Sequence, residues 1–180
     1  MAEILLTSEA FVKSVTNVSD NLAGKYILPS IREAQEMKLK GILGDPLLSK
    51  LKYLIEHYQI DSVQNLAYKD LLNHCQYFLA YSVIVEVTNK VSFKIGNFGV
   101  AKSNDENLQV GSYDEIVQMQ YYYQSKADAY CLDLQNWILE NKESFPELTS
   151  SQCHKISSNL YSAASCGIFL GGARSKTKRR

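Results

Sequence analysis

The sequence contains little proline and no long uninterrupted run of apolar residues. Three prolines occur in 180 residues, and since proline breaks the helical hydrogen-bond pattern, this scarcity permits long helices. No apolar run approaches the roughly 18 residues that a membrane-spanning helix needs, so we expect no membrane contact. The opening residues 1–7 also lack the basic start and apolar core of a secretion signal.

Cysteine is present but is not patterned for disulfides or for metal. The four cysteines are scattered along the chain at Cys75, Cys131, Cys153 and Cys166. Isolated thiols are typical of a reduced, intracellular protein, so we expect a cytoplasmic chain. Cys153, His154 and Cys166 could supply three zinc ligands, but a fourth is missing. We predict no metal site, while a role for these three residues stays open.

The motifs that mark common catalytic and nucleotide-binding sites are absent. The chain has no Gly-x-Ser-x-Gly elbow, no Walker loop and no Gly-x-Gly-x-x-Gly fingerprint. One acid pair, Asp105-Glu106, lies in a polar loop. The other, Asp114-Glu115, lies at a predicted helix start, where acids favour the helix dipole. We therefore predict neither an enzyme nor a bound cofactor, with a spatially assembled site as the alternative.

Two long helices are the strongest structural signal in the sequence. Residues 65–92 contain the segment 77–87, which is apolar on every face and is therefore predicted to be buried on all sides. Its β-branched residues would also suit a strand, but the flanking residues keep a helical pattern. Ser112 and Glu115 have the spacing of a capping box, which begins a second long helix that ends near residue 143.

Shorter helices are predicted before the central one. They cover about 8–15, 20–40 and 45–58, with a kink or a restart expected at Pro29 in the second of them. Residues 93–111 break the helical pattern with glycines and alternating apolar positions, which indicates a loop or hairpin arm. The prediction is an all-α fold, a helical bundle of about four to five helices around a long central helix.

The last part of the chain differs from the rest in net charge and in amino-acid composition. Residues 1–147 hold all 19 acids and 13 Lys/Arg, a net charge of −6, whereas residues 148–180 hold no acid and six bases, a net charge of +6. Ser, Gly and Ala dominate this last part, and its apolar residues do not recur regularly at helical spacing. We predict a helical domain over 1–148 and an extended C-terminal docking tail over 149–180.

The tail carries two sets of candidate contact residues. Its isolated apolar residues are expected to dock in a groove of a partner, and several are needed to offset the ordering of a free tail. These anchors are Leu160, Tyr161, Ile168, Phe169 and Leu170. The basic end is a candidate contact for a polyanion or an acidic surface. It consists of Arg174, Lys176, Lys178, Arg179 and Arg180.

Tyrosine is frequent in this chain, with 12 residues. The side chain has a large apolar face and one polar group, which suits the edges of a core and protein interfaces. The run Tyr121-Tyr122-Tyr123 could also stack nucleic-acid bases, but consecutive helical residues face different directions and the surrounding sequence is not basic. We favour core and interface roles for this run, with base stacking as the alternative.

Six segments spread along the chain resemble a family of phage structural proteins. They are LLTSE (5–9), LPSIREAQ (28–35), ILGDPL (42–47), CQYFLAY (75–81), SNDEN (103–107) and NLYSAASCGIFLGGAR (159–174). On these segments the chain resembles the head-to-tail connector, or ring, proteins of crAss-like and related tailed bacteriophages and prophages of Bacteroides-type hosts. The layout is more loosely similar to the small helical adaptors of long-tailed phages.

The resemblance implies a structural virion protein without catalysis or cofactor. It implies an all-helical subunit in a homo-oligomeric ring of about twelve copies, which joins the portal to the tail and lines the DNA passage. The implied partners are the portal protein, further connector or tail proteins and non-specific DNA in the channel, with assembly in the host cytoplasm. The alternative function, based on charge, is a nucleic-acid-binding helical protein that acts through its basic C-terminus.

Removal of residues 174–180 tests the nucleic-acid alternative. If the basic end binds duplex DNA through its phosphates, the truncated chain should lose binding at low salt, because each phosphate contact contributes through counterion release. Fluorescence anisotropy with a labelled duplex measures this loss against the full chain. Unchanged binding after the truncation would exclude the basic end as the DNA contact.

Overall fold

A computed structural model describes residues 3–96, 99–102, 112–149, 153 and 155–157. Within these residues the secondary structure consists mainly of six α-helices, together with one short β-hairpin. The helices are α1 (Glu9–Val15), α2 (Gly24–Glu33), α3 (Lys40–Leu43), α4 (Asp45–Glu56), α5 (Leu66–Ser92) and α6 (Tyr113–Glu140). The all-α fold class predicted from the sequence is confirmed.

The helices α2 and α3 form one continuous helical segment with an irregular middle. A π-helical turn at Ala34–Leu39 joins them, so the helical backbone runs without a break from Gly24 to Leu43. The predicted start near residue 20 is wrong by about one turn, because the chain still forms a loop there. The helix continues through Pro29 without a restart, and its hydrogen-bond pattern departs from the α-helix further on, at the π-helical turn.

The side chain of Gln35, in the π-helical turn, holds the N-terminal segment of the chain. Its Oε1 accepts from the N–H of Leu6 at 2.9 Å, and its amide donates to the carbonyl of Ile4 at 3.2 Å. In addition, Gln76 of α5 donates to the carbonyl of Leu6 at 2.9 Å. Residues 3–7 are thus pinned between two helical segments without regular secondary structure of their own.

The turn between α3 and α4 depends on glycine. Gly44 has a φ of 77°, in the left-handed region that side chains of L residues rarely adopt, so glycine is strongly favoured there. Gly44 is also the N-cap of α4, and Pro46 follows in the first turn, where its missing N–H costs no helical hydrogen bond. The carboxylate of Asp45 forms an ion pair with Lys40 Nζ at 2.8 Å across the turn.

The two long helices α5 and α6 pack against each other in antiparallel orientation. His74 of α5 forms a hydrogen bond with Asp133 of α6, and the ring of Tyr81, further along α5, contacts the ring of Tyr123, which comes earlier in α6. At about 1.5 Å per residue, each helix is roughly 40 Å long. This pair forms the centre of the bundle, and the shorter helices pack around it.

The middle of the central helix α5 is mostly buried, as its apolar sequence predicts, although Tyr77 at the start of the apolar segment is 40% exposed. Leu71, Leu79 and Val83 are fully shielded from solvent, and α6 and α2 are the elements that pack most extensively against α5. The second long helix begins at the predicted capping box, in which Ser112 and Glu115 each cap the other's backbone N–H. Both long helices therefore lie where the sequence predicts them.

A β-hairpin arm follows directly on α5. Its strands, β1 (Phe93–Gly96) and β2 (Gly99–Lys102), pair antiparallel over all four residues of each. The sequence predicted a loop or hairpin arm at this point, and the strands form the hairpin. Residues 97–98 and 103–111 of the predicted arm lie outside the described residues.

The packed body of the protein continues beyond residue 148, which the sequence predicted as its last residue. Residues 153 and 155–157 are helical, and Ile156 is 1% exposed within the main hydrophobic core. The predicted start of the extended tail is therefore wrong, because one apolar residue among polar neighbours gives no periodic signal. Residues 158–180 of the predicted tail lie outside the described residues.

Replacing Ile156 by alanine tests its place in the core. Ile156→Ala should lower the free energy of unfolding by roughly 2–5 kcal/mol, because it removes buried methyl and methylene groups and leaves a cavity. Urea denaturation followed by circular dichroism measures the change. The control is Val63→Ala, at a position 83% exposed, which should alter stability little. An unchanged unfolding midpoint for Ile156→Ala would contradict its burial.

The thiols on the two long helices should react slowly. Burial raises the pKa of Cys75 on α5, and burial, with Asp128 nearby, raises the pKa of Cys131 on α6 to about 11. Since the thiolate is the nucleophile, a raised pKa leaves less reactive thiol at neutral pH, about a hundredfold less for Cys131.

We therefore expect iodoacetamide to modify both thiols slowly in the native protein and rapidly in urea. For Cys131 the native rate should rise as the pH approaches about 11. Peptide mass mapping after timed alkylation measures both effects. Equal rates in native and unfolded protein would contradict the shielding of these thiols.

Candidate docking surface

The contact residues that the sequence singles out in the tail lie outside the described residues. The apolar ones are Leu160, Tyr161, Ile168, Phe169 and Leu170, and the basic ones are Arg174, Lys176, Lys178, Arg179 and Arg180. Of the three residues in the zinc alternative, Cys153 is half-buried, while His154 and Cys166 are not described. Within the described part of the chain, no cluster of three or more His, Cys, Asp or Glu side chains could hold a metal ion.

The described surface has an apolar groove beside the end of α5, with a volume of about 470 Å³. It forms where the loop between α1 and α2 lies against the last turns of α5 and the first turns of α6. The apolar side chains that line this groove include Val18, Leu22, Val87, Val91, Ile116 and Met119. Three segments distant in sequence therefore build one recess.

Hydrogen bonds fix the loop that forms one wall of the apolar groove. The N–H of Leu22 donates to the carbonyl of Ser19 at 3.0 Å, which closes a turn. Lys13 Nζ donates to the carbonyl of Asp20 at 2.7 Å and ties the loop back to α1. The wall is therefore preformed, so a molecule that binds in the groove need not order it.

The floor of the apolar groove presents mainly carbon atoms. Ile84, Val87 and Ile116 are all buried, so the floor is continuous with the hydrophobic core. The hydroxyl of Thr88 donates to the carbonyl of Ile84 at 2.8 Å and is thereby satisfied within α5. The groove favours apolar side chains, because a polar group placed against this floor would lose its hydrogen bonds to water.

Two apolar side chains on the rim of the groove remain substantially exposed. Val91 is 36% exposed at the end of α5, and Met119 is 46% exposed on α6. Exposed apolar residues that border an apolar recess are typical of an interaction site. Methionine also adapts its shape readily to different partners. The arrangement is suited to binding an apolar segment of another chain.

An aromatic cluster lies between α5 and α6. Tyr77 and Tyr81 of α5 stack on Tyr130 of α6, with ring centroids 5.6 and 5.1 Å apart. Tyr81 also meets Tyr123, with a centroid distance of 6.5 Å. Burial raises the pKa of Tyr81 and of Tyr123, so both phenols stay neutral near physiological pH. These tyrosines pack the seam between the long helices.

The tyrosine run on α6 divides between the core and the surface. Tyr123 is buried, whereas Tyr121 and Tyr122 are 72% and 59% exposed. Tyr113, at the start of the same helix, is also exposed. Lys126 Nζ lies 5.7 Å from the ring centroid of Tyr122. The predicted core role holds for Tyr123, whereas the exposed tyrosines lie on different faces of the first half of α6.

Two exposed acidic residues lie close in sequence to residues that line the apolar groove. Asp20 in the loop and Asp114 in the first turn of α6 are both exposed. The nearest lysine on α5, Lys90, forms an ion pair with Glu33 at 2.5 Å, which balances its charge. Because both carboxylates are exposed, a basic segment that approaches the groove can interact with them.

No periodic pattern in the sequence indicates the groove. The loop before α2 is rich in capping residues, and its two apolar side chains, Val18 and Leu22, are the one local signal of a packing role. Met119 and Val91 carry no such signal, because apolar and aromatic residues are frequent in both long helices. The exposure of Met119 and Val91 depends on how far the loop between α1 and α2 extends over the long helices.

The helices of the described residues include none that is both long enough and apolar enough to cross a bilayer. No curated protein and no solved structure matches the chain. Residues 39–158, two thirds of the chain, match the family of unknown function DUF6712. The matched region contains α4, the two long helices, the hairpin arm and the buried Ile156. The chain therefore belongs to the DUF6712 family.

Proposed function

We propose that the chain is a structural virion protein, a subunit of the head-to-tail connector ring that joins the portal to the tail of a bacteriophage and lines the DNA passage. The observation that carries the proposal is that large apolar and aromatic side chains of α6 remain uncovered. These side chains are Met119, Tyr113, Tyr121 and Tyr122, and they lie on different faces of the helix. The sequence resemblance to connector proteins supports the identity of the assembly.

An uncovered surface of this kind favours association with another protein. Leaving apolar area in water costs about 25 cal/mol for each Å². Tyrosine and methionine are enriched at protein interfaces, because each brings a large contact area. A homo-oligomeric ring of about twelve copies buries two faces of every subunit, which gives the exposed side chains of α6 a role in assembly.

The hairpin arm supports a contact with a further partner. It begins at Phe93, directly after the last residue of α5. A two-stranded hairpin is at best marginally stable without packing against other elements, and the edge of a strand can pair with another chain. We assign the arm to a contact with the portal protein or with a further connector or tail protein.

The charge of the body supports passage of DNA more than tight binding of it. Residues 1–147 carry a net charge of −6, and a negative surface repels the phosphate backbone. A channel lined by such a surface lets non-specific DNA slide through it. The alternative function, nucleic-acid binding, depends on the basic end at 174–180, which lies outside the described residues.

Electron microscopy of the protein mixed with the portal protein of the same phage tests the proposal. We expect class averages that show a ring of this protein on the portal. Tyr121→Glu should weaken ring formation, because it places a charge where an exposed aromatic side chain would be buried in the contact. Tyr58→Glu is the matched control, since Tyr58 is 93% exposed and lies outside α6.

Two outcomes would count against the proposal. Portal particles without additional density, in a sample where the protein is folded, would contradict a connector role. Rings that form equally well with Tyr121→Glu and with Tyr58→Glu would remove the support that the exposed surface of α6 gives to it.

A further inference from the structure

We propose that the apolar groove binds the C-terminal segment of a second copy of the chain, with Ile168, Phe169 and Leu170 as the inserted side chains. This inference deepens the proposed function and rests on it, because it names the occupant of the groove in the assembled ring. Four observations support it. The tail and the groove are both apolar, the tail begins on a different side of the subunit from the groove, the tail is long enough to reach another copy, and its basic end is complementary in charge to acidic residues near the groove.

The tail and the apolar groove match in chemistry. Residues 168–170 are the one run of three consecutive large apolar residues after Ser157, and glycines flank this run on both sides. Glycine allows a backbone to approach a surface closely. The floor of the groove is buried and aliphatic, and its rim leaves Val91 and Met119 partly exposed. Insertion of the run would cover these two side chains.

The described chain ends on a side of α5 that faces away from the groove. Lys155 borders a cavity together with Phe78 and Ser82 of α5, whereas Val87 lines the groove. At 3.6 residues per turn, Ser82 and Val87 point about 140° apart around the axis of α5. The tail therefore starts on one side of the subunit, and the groove opens on another.

A donor segment on one side and an acceptor groove on another define a head-to-tail contact between copies. Contacts of this kind form a closed ring when the rotation between neighbouring copies closes. Ten residues separate Ser157 from Ile168, which allows an extended reach of roughly 35–40 Å. This reach exceeds the helix diameter of about 10–12 Å several times, so the segment can enter the groove of an adjacent copy.

Charge complementarity also supports binding of the tail of one copy at the groove of another. The tail becomes basic four residues after Leu170, at Arg174, and stays basic to Arg180. Asp20 and Asp114 are exposed, and each lies within two residues in sequence of a side chain that lines the groove. Exposed ion pairs are individually weak, so they orient the segment while the apolar side chains supply most of the affinity.

A mixing experiment with two variants of the full chain tests the proposal. Val91→Glu places a charge on the rim of the groove and leaves the tail intact, while Phe169→Glu alters the tail and leaves the groove intact. Each variant by itself should associate at least about tenfold more weakly than the native chain, because a buried carboxylate without a partner is strongly disfavoured. Native mass spectrometry over a concentration series measures this.

When mixed, the two variants should form heterodimers that contain one copy of each. The Phe169→Glu chain supplies the intact groove, and the Val91→Glu chain supplies the intact tail. Association should stop at two copies, since the remaining groove and the remaining tail are both altered. Val63→Glu, at an exposed position away from the groove, should associate as the native chain does.

Three results would overturn the proposal: a native chain that stays monomeric at every concentration, a Phe169→Glu chain that associates normally, or a mixture of folded variants without heterodimers. If Val91→Glu does not fold, Met119→Glu takes its place, with Met37→Glu as its control at a position 79% exposed. Portal binding is measured separately by electron microscopy. Portal binding without heterodimers overturns only the tail contact, and heterodimers without portal binding overturn only the connector role.

Discussion

The fold depends on the burial of α5, a helix whose middle has apolar side chains in every direction. Such a helix is stable only where other elements surround it. The helices α2 and α6 provide the largest contacts, and α1 is tied to α5 by Tyr81, whose hydroxyl donates to the carbonyl of Val15 at 3.1 Å. The positions of the shorter helices follow from the need to keep water away from this one.

The apolar groove exists because the elements around α5 do not cover its last turns completely. Because α1 ends at Val15 and α2 begins at Gly24, a loop covers the last turns of α5. A loop of this length shields less area than a packed helix, so Val91 stays partly exposed beside Met119. The end of the central helix is thus the place where another molecule can complete the hydrophobic core.

The long helices could be predicted from the sequence because their signals are local. The continuous apolar segment indicates α5, and the spacing of Ser112 and Glu115 indicates the start of α6. The π-helical turn and the burial of Ile156 could not be predicted, since both depend on contacts with distant residues, as the hydrogen bond from Leu6 to Gln35 illustrates. The groove was missed for the same reason, because three separate segments form its walls.

The attachment of Leu6 has a mechanical consequence. Gln35 and Gln76 hold the N–H and the carbonyl of this one residue from two different helical segments. A force applied to the residues before Leu6 therefore acts on the side-chain amides of Gln35 and Gln76 before it acts on α1. The load divides between the α2–α3 segment and α5, so tension passes into the most deeply buried helix and does not peel α1 from the edge of the bundle.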